Sequence, residues 1–248
     1  MGQKNKKIIF LNEVESTNNY ANRLILSDAA DDGTVVLAQY QTRGKGQLGN
    51  YWESEAGKNL LMSLIWFPYF LPAGQQFLIS KVVSLAITNW LENEVDNSSI
   101  KWPNDIYIGN KKVAGILIEN TVKGSNLFSS VAGIGLNVNQ MVFKSDAPNP
   151  VSLRQITGKN YEISELLKTL LNSLSNWYAK LVANRIDEIN ETYFSRLYRG
   201  NEWHLFSDPG KQTFEARIIG IGTFGQLQLQ LHDNTFREYM FKEVEFVL

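Results

Sequence analysis

The sequence predicts an α+β chain that closes with a small β-barrel. Three observations carry this. Apolar residues recur at helical spacing in two long stretches, Leu78 to Ala86 and Ile163 to Leu181, set among β-branched, strand-like runs. After Tyr198-Arg199-Gly200 that periodicity stops, and only short alternating runs separated by turn residues remain. The 248 residues are 44% hydrophobic and 12% aromatic, which fills a sizeable core and is too rich for a disordered chain. No linker, repeat or low-complexity tract separates the parts. They are expected to pack closely as two domains, residues 1–198 and 199–248.

Lys7 to Leu11 is a first strand. Ser16-Thr17-Asn18-Asn19 supplies N-cap chemistry for a helix carrying Tyr20, Ala21, Leu24 and Ile25. Thr34 to Tyr40 is a strand, Arg43 to Gly57 a Gly-rich loop, and Leu60 to Trp66 a buried strand interrupted by Ser63. A helix runs from Leu78 to about Val95. Asp105 to Ile108 and Val113 to Ile118 form a hairpin turned by Gly109-Asn110, and Ser129 to Asn139 is a further strand. Ile163, Leu166, Leu167, Leu170, Leu174, Trp177 and Leu181 mark a helix packed on the core. The barrel strands are Trp203 to Phe206, Phe214 to Gly220, Gln226 to Leu231 and Arg237 to Phe241.

Composition removes several chemistries. The chain has no cysteine, so disulfides, thiolate metal sites and thiol nucleophiles are excluded. A Ser–His–Asp triad could draw only on His204 and His232. Twenty-four basic and 25 acidic side chains give a net charge of −1, without the global positive field that holds nucleic acid or an anionic membrane. The apolar run Ile8 to Leu11 is too short for a signal peptide, and Leu60 to Phe67 too short for a membrane span. A soluble, cytoplasmic protein without membrane or nucleic-acid partners is expected.

Four segments carry chemistry. Gln41 to Asn50 places Gly44, Gly46 and Gly49 around Arg43 and Lys45, so backbone N–H groups can converge on an anion; a plain flexible connection accounts for it equally well. Lys101-Trp102-Pro103-Asn104-Asp105 gathers two donors and a carboxylate, although Pro-Asn-Asp is also good turn chemistry. Lys111-Lys112 opens an apolar strand running through Gly115 to Glu119, where a solvated lysine pair is the plainer reading. Gly133-Ile134-Gly135-Leu136-Asn137 permits close approach, or simply tight packing.

Taken together in this order and spacing, the segments resemble the biotin protein ligases. The resemblance runs from about Lys7 to the C-terminus, and its most specific part is Lys101 to Asp105 followed by Lys112-Val113-Ala114-Gly115-Ile116-Leu117. It implies a mixed β-sheet flanked by helices, of class II synthetase type, followed by an SH3-like barrel. It also implies activation of biotin by MgATP to biotinyl-5′-AMP, then transfer to a lysine of a biotin carboxyl carrier protein, such as that of acetyl-CoA carboxylase. Ser16, Thr17, Asn18 and Gln41, with backbone of Gly44, Lys45 and Gly46, match positions that bind biotin, whose buried ureido ring loses about 1–3 kcal/mol for each unmet polar group. Trp52 and the strand around Gly115 and Ile116 would wall the apolar part. Gly46, Gln47, Trp52, Asn104 and Asn137 are the expected ATP and adenylate contacts. Lys112 would bridge carboxylate and phosphate, Lys45 would shield phosphate charge, and Asp105 would orient or deprotonate the acceptor amine. Mg²⁺ would arrive with ATP and needs no protein ligand set. Relatives often dimerise through a sheet edge, so a homodimer is carried as an expectation.

Two departures matter. Many relatives carry Gly-Arg-Gly-Arg-Arg-Gly-Arg where this chain has Gly44-Lys45-Gly46-Gln47-Leu48-Gly49-Asn50. Lysine lacks the bidentate fork of arginine, and Gln47 lacks the charge. The segment Gln140 to Pro150, matching a loop that closes over adenine, offers no assignable adenine contact. Some relatives also carry an N-terminal DNA-reading module, which Lys4, Lys6 and Lys7 cannot form, so the single-function form is expected. A lipoate or octanoate ligase, and a biotin binder without turnover, are the competing readings. The weakened loop yields a direct expectation. Biotinyl-AMP should escape faster from this chain than from arginine-rich relatives; single-turnover trapping measures it, and an equal or slower release would refute it.

Overall fold

The computed structural model describes residues 7–47, 49–145 and 147–247; Leu48 of the glycine loop, and Lys4 and Lys6, lie outside the described residues. Two β-sheets organise the chain. Strands β1 (Ile8–Val14), β2 (Val35–Gln41), β3 (Leu60–Trp66), β4 (Ser98–Lys101), β5 (Asp105–Ile108), β6 (Lys111–Lys123) and β7 (Asn126–Leu136) form the first, in the order β1-β2-β3-β7-β6-β5-β4. Only β1 and β2 run parallel, with Ile8 opposite Val35; the remaining pairs are antiparallel, so the sheet is mixed.

Helices cover both faces. On one lies α1 (Thr17–Leu26), whose Ala21 packs with Val36, Ile65 and Val131. On the other lie α2 (Phe77–Leu91), α4 (Ile163–Val182) and α5 (Ile186–Ser195) over the main core. α2 is buried on almost every side because α4 and α5 cover what the sheet leaves open. α4 keeps only the expected stripe inside, from Leu166 to Leu181.

Several expectations need correction. α2 stops at Leu91, not near Val95, because Glu92 to Glu94 turn toward Asn97, which has φ +60°. β1 extends to Val14 and pairs with β2 along its length. Five elements were not anticipated: β4, α3 (Leu153–Thr157), α5, β12 (Glu245–Phe246) and a 3₁₀ turn at Ala73–Gln75. α3 is a single capped turn. Ser152 and Gln155 close a reciprocal capping box, and Gly158 at φ +74° ends it. Ser16 occupies the N-cap position of α1 as expected, yet its side chain makes no capping bond.

The second sheet has the order β11-β10-β9-β8-β12, from β8 (Trp203–Ser207), β9 (Thr213–Ile221), β10 (Leu227–Leu231), β11 (Phe236–Tyr239) and β12. Its Phe206, Ala216, Ile218, Leu227 and Leu229 belong to the same apolar cluster as the first sheet. Trp102 Nε1 donates to the Gly225 carbonyl at 2.8 Å, and Tyr198 packs between Tyr107 and Phe246. At Gly225, φ is +93° and an added Cβ would lie 2.5 Å from the Phe77 ring, so both backbone shape and space require glycine. Close packing of the two parts is thus built from specific contacts.

One lysine is buried beside this junction, between α2 and α5. Lys81 of α2 is 6% exposed, donates to Asn190 Oδ1 at 2.8 Å, and lies over the rings of Phe77 and Tyr193. Burial pulls its ammonium from the ordinary 10.5 down to about 8. Between those values the unfolded chain holds a proton the native state has released, so stability rises with pH there; below about 8 the full penalty applies. Lys81→Met is expected to stabilise the fold at pH 7 by on the order of 1–3 kcal/mol. In urea denaturation the gain should shrink as pH rises to 10; a gain independent of pH would show that the buried charge is not its source.

Candidate active site

A cavity of about 420 Å³ opens on the α1 face of the first sheet. Its floor is set by register. Gly115, Gly135 and Leu61 are in line across β6, β7 and β3, and Leu117, Gly133 and Ser63 lie two residues along. The Trp52 indole rests on this floor. A Cβ at Gly135 would come within 2.4 Å of it, and one at Gly115 within 2.8 Å. The two glycines therefore make room for a ring, which is the close-approach reading of both motifs.

A bulge aims the lysine. In β5–β6 pairing, Asp105 faces Gly115 and Tyr107 faces Lys112, with a register shift between Ile106 and Tyr107. Side chains alternate along a regular strand, so residues 112 and 115 would otherwise point to opposite faces. The extra residue, Val113, is buried, and Lys112 joins Gly115 and Asp105 on the cavity side. Lys112 Nζ lies 2.7 Å from Asp105 Oδ1 and 5.6 Å from the Trp52 ring centre. Asn104 holds the hairpin in place: its amide donates to the Ile116 carbonyl at 2.7 Å, and its carbonyl accepts from Ile116 N at 2.9 Å.

The far end of the cavity is polar and buried. Ser16, Thr17 and Asn18 line it from the start of α1, and Gln41 from the end of β2. Gln41 Oε1 accepts from Thr17 N at 2.7 Å and from Thr17 Oγ1 at 3.1 Å. Ser63 joins Thr17 Oγ1 at 2.8 Å to Asn18 Oδ1 at 2.6 Å. Lys45, Gly46 and Gln47 close one side, with Lys45 Nζ 3.9 Å from Glu119. A short antiparallel bridge from Lys45 to Tyr51 folds the glycine loop on itself.

Ser16, Thr17, Asn18, Gln41, Lys45, Gly46, Gln47, Trp52, Asn104, Asp105, Lys112 and Gly115 all line this cavity. Gly44 and Asn137 do not. An added Cβ at Gly44 would lie 2.7 Å from the Trp52 carbonyl, so it shapes the loop from behind. Asn137 is buried and donates to the Val151 carbonyl at 3.2 Å, supporting the 140–150 segment. That segment is anchored by Glu53, which accepts from Lys144 N at 2.8 Å and Ser145 N at 2.7 Å. Burial opposes ionisation of Glu53, but these hydrogen bonds outweigh it and hold the carboxyl below its usual range.

The structure adds residues that sequence reasoning did not single out. Gly133, Gly135 and Lys101 line the cavity from within motifs already noted. Lys101 donates to Tyr107 at 3.1 Å and lies over the Tyr107 and Phe246 rings; burial pulls its ammonium below the ordinary range, while Asp105 partly restores it. Ser63 carried a signal as the lone polar residue in an apolar strand. Phe241, Val244, Glu245 and Phe246 bring the barrel to the cavity wall, and no local pattern announced them. Among the described residues no group of three or more His, Asp or Glu side chains could hold a metal ion. Nor is any helix among them long and apolar enough to cross a membrane.

Comparison with known proteins agrees with this geometry. The model of the biotin/lipoate A/B protein ligase family matches residues 10–137. The chain is 31% identical over 229 residues to a biotin–[acetyl-CoA-carboxylase] ligase of Paracoccus denitrificans, covering 89% of this chain and 92% of that one. It is 30% identical over 229 residues to the bifunctional ligase/repressor BirA of Bacillus spizizenii, covering 90% of this chain but 62% of that relative's length. A structure of the biotin protein ligase from Aquifex aeolicus in complex with biotin and ATP superposes with a TM-score of 0.79 at 27% identity, covering 98% of this chain and all of that one. The chain belongs to the biotin/lipoate A/B protein ligase family.

The glycine floor can be tested directly. Gly135→Ala drives a methyl into the Trp52 indole and is expected to weaken the binding of a ring-bearing ligand, with biotin as the probe, by about tenfold or more. Titration calorimetry on the folded variant checks this, and unchanged affinity would separate the floor from ligand binding.

Proposed function

We propose that this chain joins biotin to ATP, giving biotinyl-5′-AMP and pyrophosphate, and then passes biotin to a lysine of a biotin carboxyl carrier domain of acetyl-CoA carboxylase type. The observation that supports this most is the Lys112–Asp105 pair, 2.7 Å apart, at one end of a cavity whose other end is lined by the hydroxyls and amides of Ser16, Thr17, Asn18 and Gln41. In this reading the polar end takes the ureido ring and the Trp52 indole with the glycine floor takes the apolar part. The carboxylate is thereby brought to Lys112.

In the first step a biotin carboxylate oxygen attacks the α-phosphorus of ATP, the α–β anhydride breaks, and pyrophosphate leaves. Two anions must meet, so Lys112 Nζ sits where it can neutralise both carboxylate and phosphate oxygens. Lys45 and the amide of Gln47 hold the remaining phosphate charge, and Mg²⁺ enters with the nucleotide. In the second step the acceptor amine attacks the activated carbonyl, AMP departs with the bonding pair, and Asp105 takes the amine proton. Lys112 draws away from Asp105 as phosphate charge builds, which frees the carboxylate for that task.

The same proposal assigns catalysis to residues 1–198 and makes residues 199–248 the barrel that walls the acceptor side. It sets the protein in the cytoplasm. A homodimer would form edge to edge on β1, an outer strand whose Ile8 and Phe10 are exposed. A lipoate or octanoate ligase is disfavoured because those acids carry nothing to satisfy the buried hydroxyls and amides around Ser63. Pyrophosphate exchange into ATP, run with biotin, lipoate and octanoate, is expected to respond to biotin. It should fall by about a hundredfold or more in Lys112→Ala. No exchange with any acid despite tight biotin binding would leave a binder and end the enzyme reading.

A further inference from the structure

The polar end of the cavity has a hydrogen-bond polarity that can be counted. Four groups form one chain of three contacts: Asn18 Oδ1 to Ser63 Oγ at 2.6 Å, Ser63 Oγ to Thr17 Oγ1 at 2.8 Å, and Thr17 Oγ1 to Gln41 Oε1 at 3.1 Å. Both ends are fixed as acceptors. At Gln41 the backbone N–H of Thr17, 2.7 Å away, must meet the amide oxygen. At Asn18 the amide nitrogen is drawn to the other side by Glu119 Oε2 at 3.0 Å, because an ionised carboxylate can only accept. The Leu117 carbonyl, 3.3 Å from the same nitrogen, reinforces that orientation, and Asn22 donates to Glu119 Oε2 at 3.0 Å. Gly133 leaves the space: a Cβ there would lie 2.3 Å from Asn18 Oδ1.

Two hydroxyl protons, those of Ser63 and Thr17, must therefore serve three contacts. Ser63 gives its proton to Asn18 Oδ1, the shorter contact. The Thr17 proton can then go to Ser63 or to Gln41, but not to both. One contact is left with lone pairs facing each other between buried Thr17 and either buried Ser63 or half-buried Gln41, where an unmet polar group is costly. Thr17 and Gln41 line the cavity and Ser63 does not, so the shortage is exposed to a ligand at the Thr17–Gln41 end. A ligand N–H placed between Thr17 Oγ1 and Gln41 Oε1 would supply the missing proton. A ligand without an N–H would leave the shortage in place.

We propose that Glu119 is a positioning residue which, by fixing the Asn18 amide, keeps this chain one proton short and so makes the pocket select an N–H-bearing ring over acids that lack one. Glu119 touches no reacting atom; its pair with Lys45 is long, 3.9 Å, and partly exposed on both sides, so its loss moves the phosphate end little. With an uncharged side chain at 119, Asn18 can turn its amide nitrogen toward Ser63. Three protons then serve three contacts, and the demand on the ligand disappears. The inference rests on the biotin reading above, because biotin's ureido ring is the N–H donor.

The test compares Glu119→Gln, Glu119→Ala and the parent in pyrophosphate exchange, with octanoate as the N–H-free competitor. The expected result is a biotin KM raised about tenfold in both variants, with kcat and the KM for ATP changed by less than about twofold and the octanoate inhibition constant unmoved. Selectivity for biotin over octanoate thus falls about tenfold. A merely structural role would move all the constants together, and that outcome overturns the proposal, as does an unchanged biotin KM. Ser63→Ala guards against misfolded Glu119 variants. It removes one proton and two contacts from outside the cavity, lets Thr17 satisfy Gln41, and should weaken biotin selectively in the same way. If the parent shows no biotin-dependent exchange, the enzyme reading fails on its own, and calorimetric biotin and octanoate titrations of the same variants still decide the role of Glu119.

Discussion

Lys112 and Gly115 face the same way only because β6 carries a bulge at Val113. An unbroken strand would send one of them to each side of the sheet, and no repacking of side chains could repair that. The bulge therefore decides whether lysine, carboxylate and ring-sized floor can share one cavity. It sits next to Asn104, which is stitched to Ile116 through two hydrogen bonds and so fixes the turn leading into β5. Asp105 and Lys112 are each about four-fifths buried, with side-chain exposures of 22% and 23%. Partial burial makes holding two opposite charges together a modest gain at best, so the pair is better understood as placed for use than as a source of stability.

The barrel is part of the same construction. Trp102 belongs to the segment that delivers Asn104 and Asp105, yet its indole is buried and hydrogen-bonded to Gly225 of the second sheet. The turn that carries the site is thus clamped to the second sheet through a residue that also lines the cavity. The segment from Phe241 to Phe246 then returns to the cavity mouth, where Lys101 lies against Phe246. Any shift of the barrel would be felt at Lys101 and Asp105, which are paired neighbours across β4 and β5. A shared core and a shared cavity wall follow from the same contacts.

What was legible in the sequence was local. β2 and β3 announce themselves through β-branched and apolar runs, and α4 through its stripe, because each signal is contained within one element. α3 is too short to show a period, and β4 is mostly polar and held by pairing with β5. In α5 the buried Ile189 and Tyr193 are diluted by Asp187, Glu188 and Glu191, so its stripe is faint. The site followed the same rule. Lys112, Asp105 and the glycine loop lie in compact motifs, whereas the Ser63–Asn18 contact joins residues 45 apart and the Asn18–Glu119 contact joins residues 101 apart. Asn137, a polar residue at a strand end, donates its amide to the Val151 backbone, a partner 14 residues on that its neighbours do not announce.

The start of α1 shows how function and stability are reconciled here. A serine at the N-cap ordinarily turns its oxygen back to a backbone N–H of the first turn, and loss of such a cap costs about 1 kcal/mol. Ser16 has the extended N-cap backbone but makes no such bond. Instead the first orphan donor, Thr17 N, is met by Gln41 from β2, at 2.7 Å. The helix is capped from outside its own sequence. That arrangement leaves Ser16 lining the cavity and ties the position of Gln41 to the helix end. A local cap would have stabilised α1 without reference to β2; the long-range one makes the helix, the second strand and the polar end of the cavity form together or not at all.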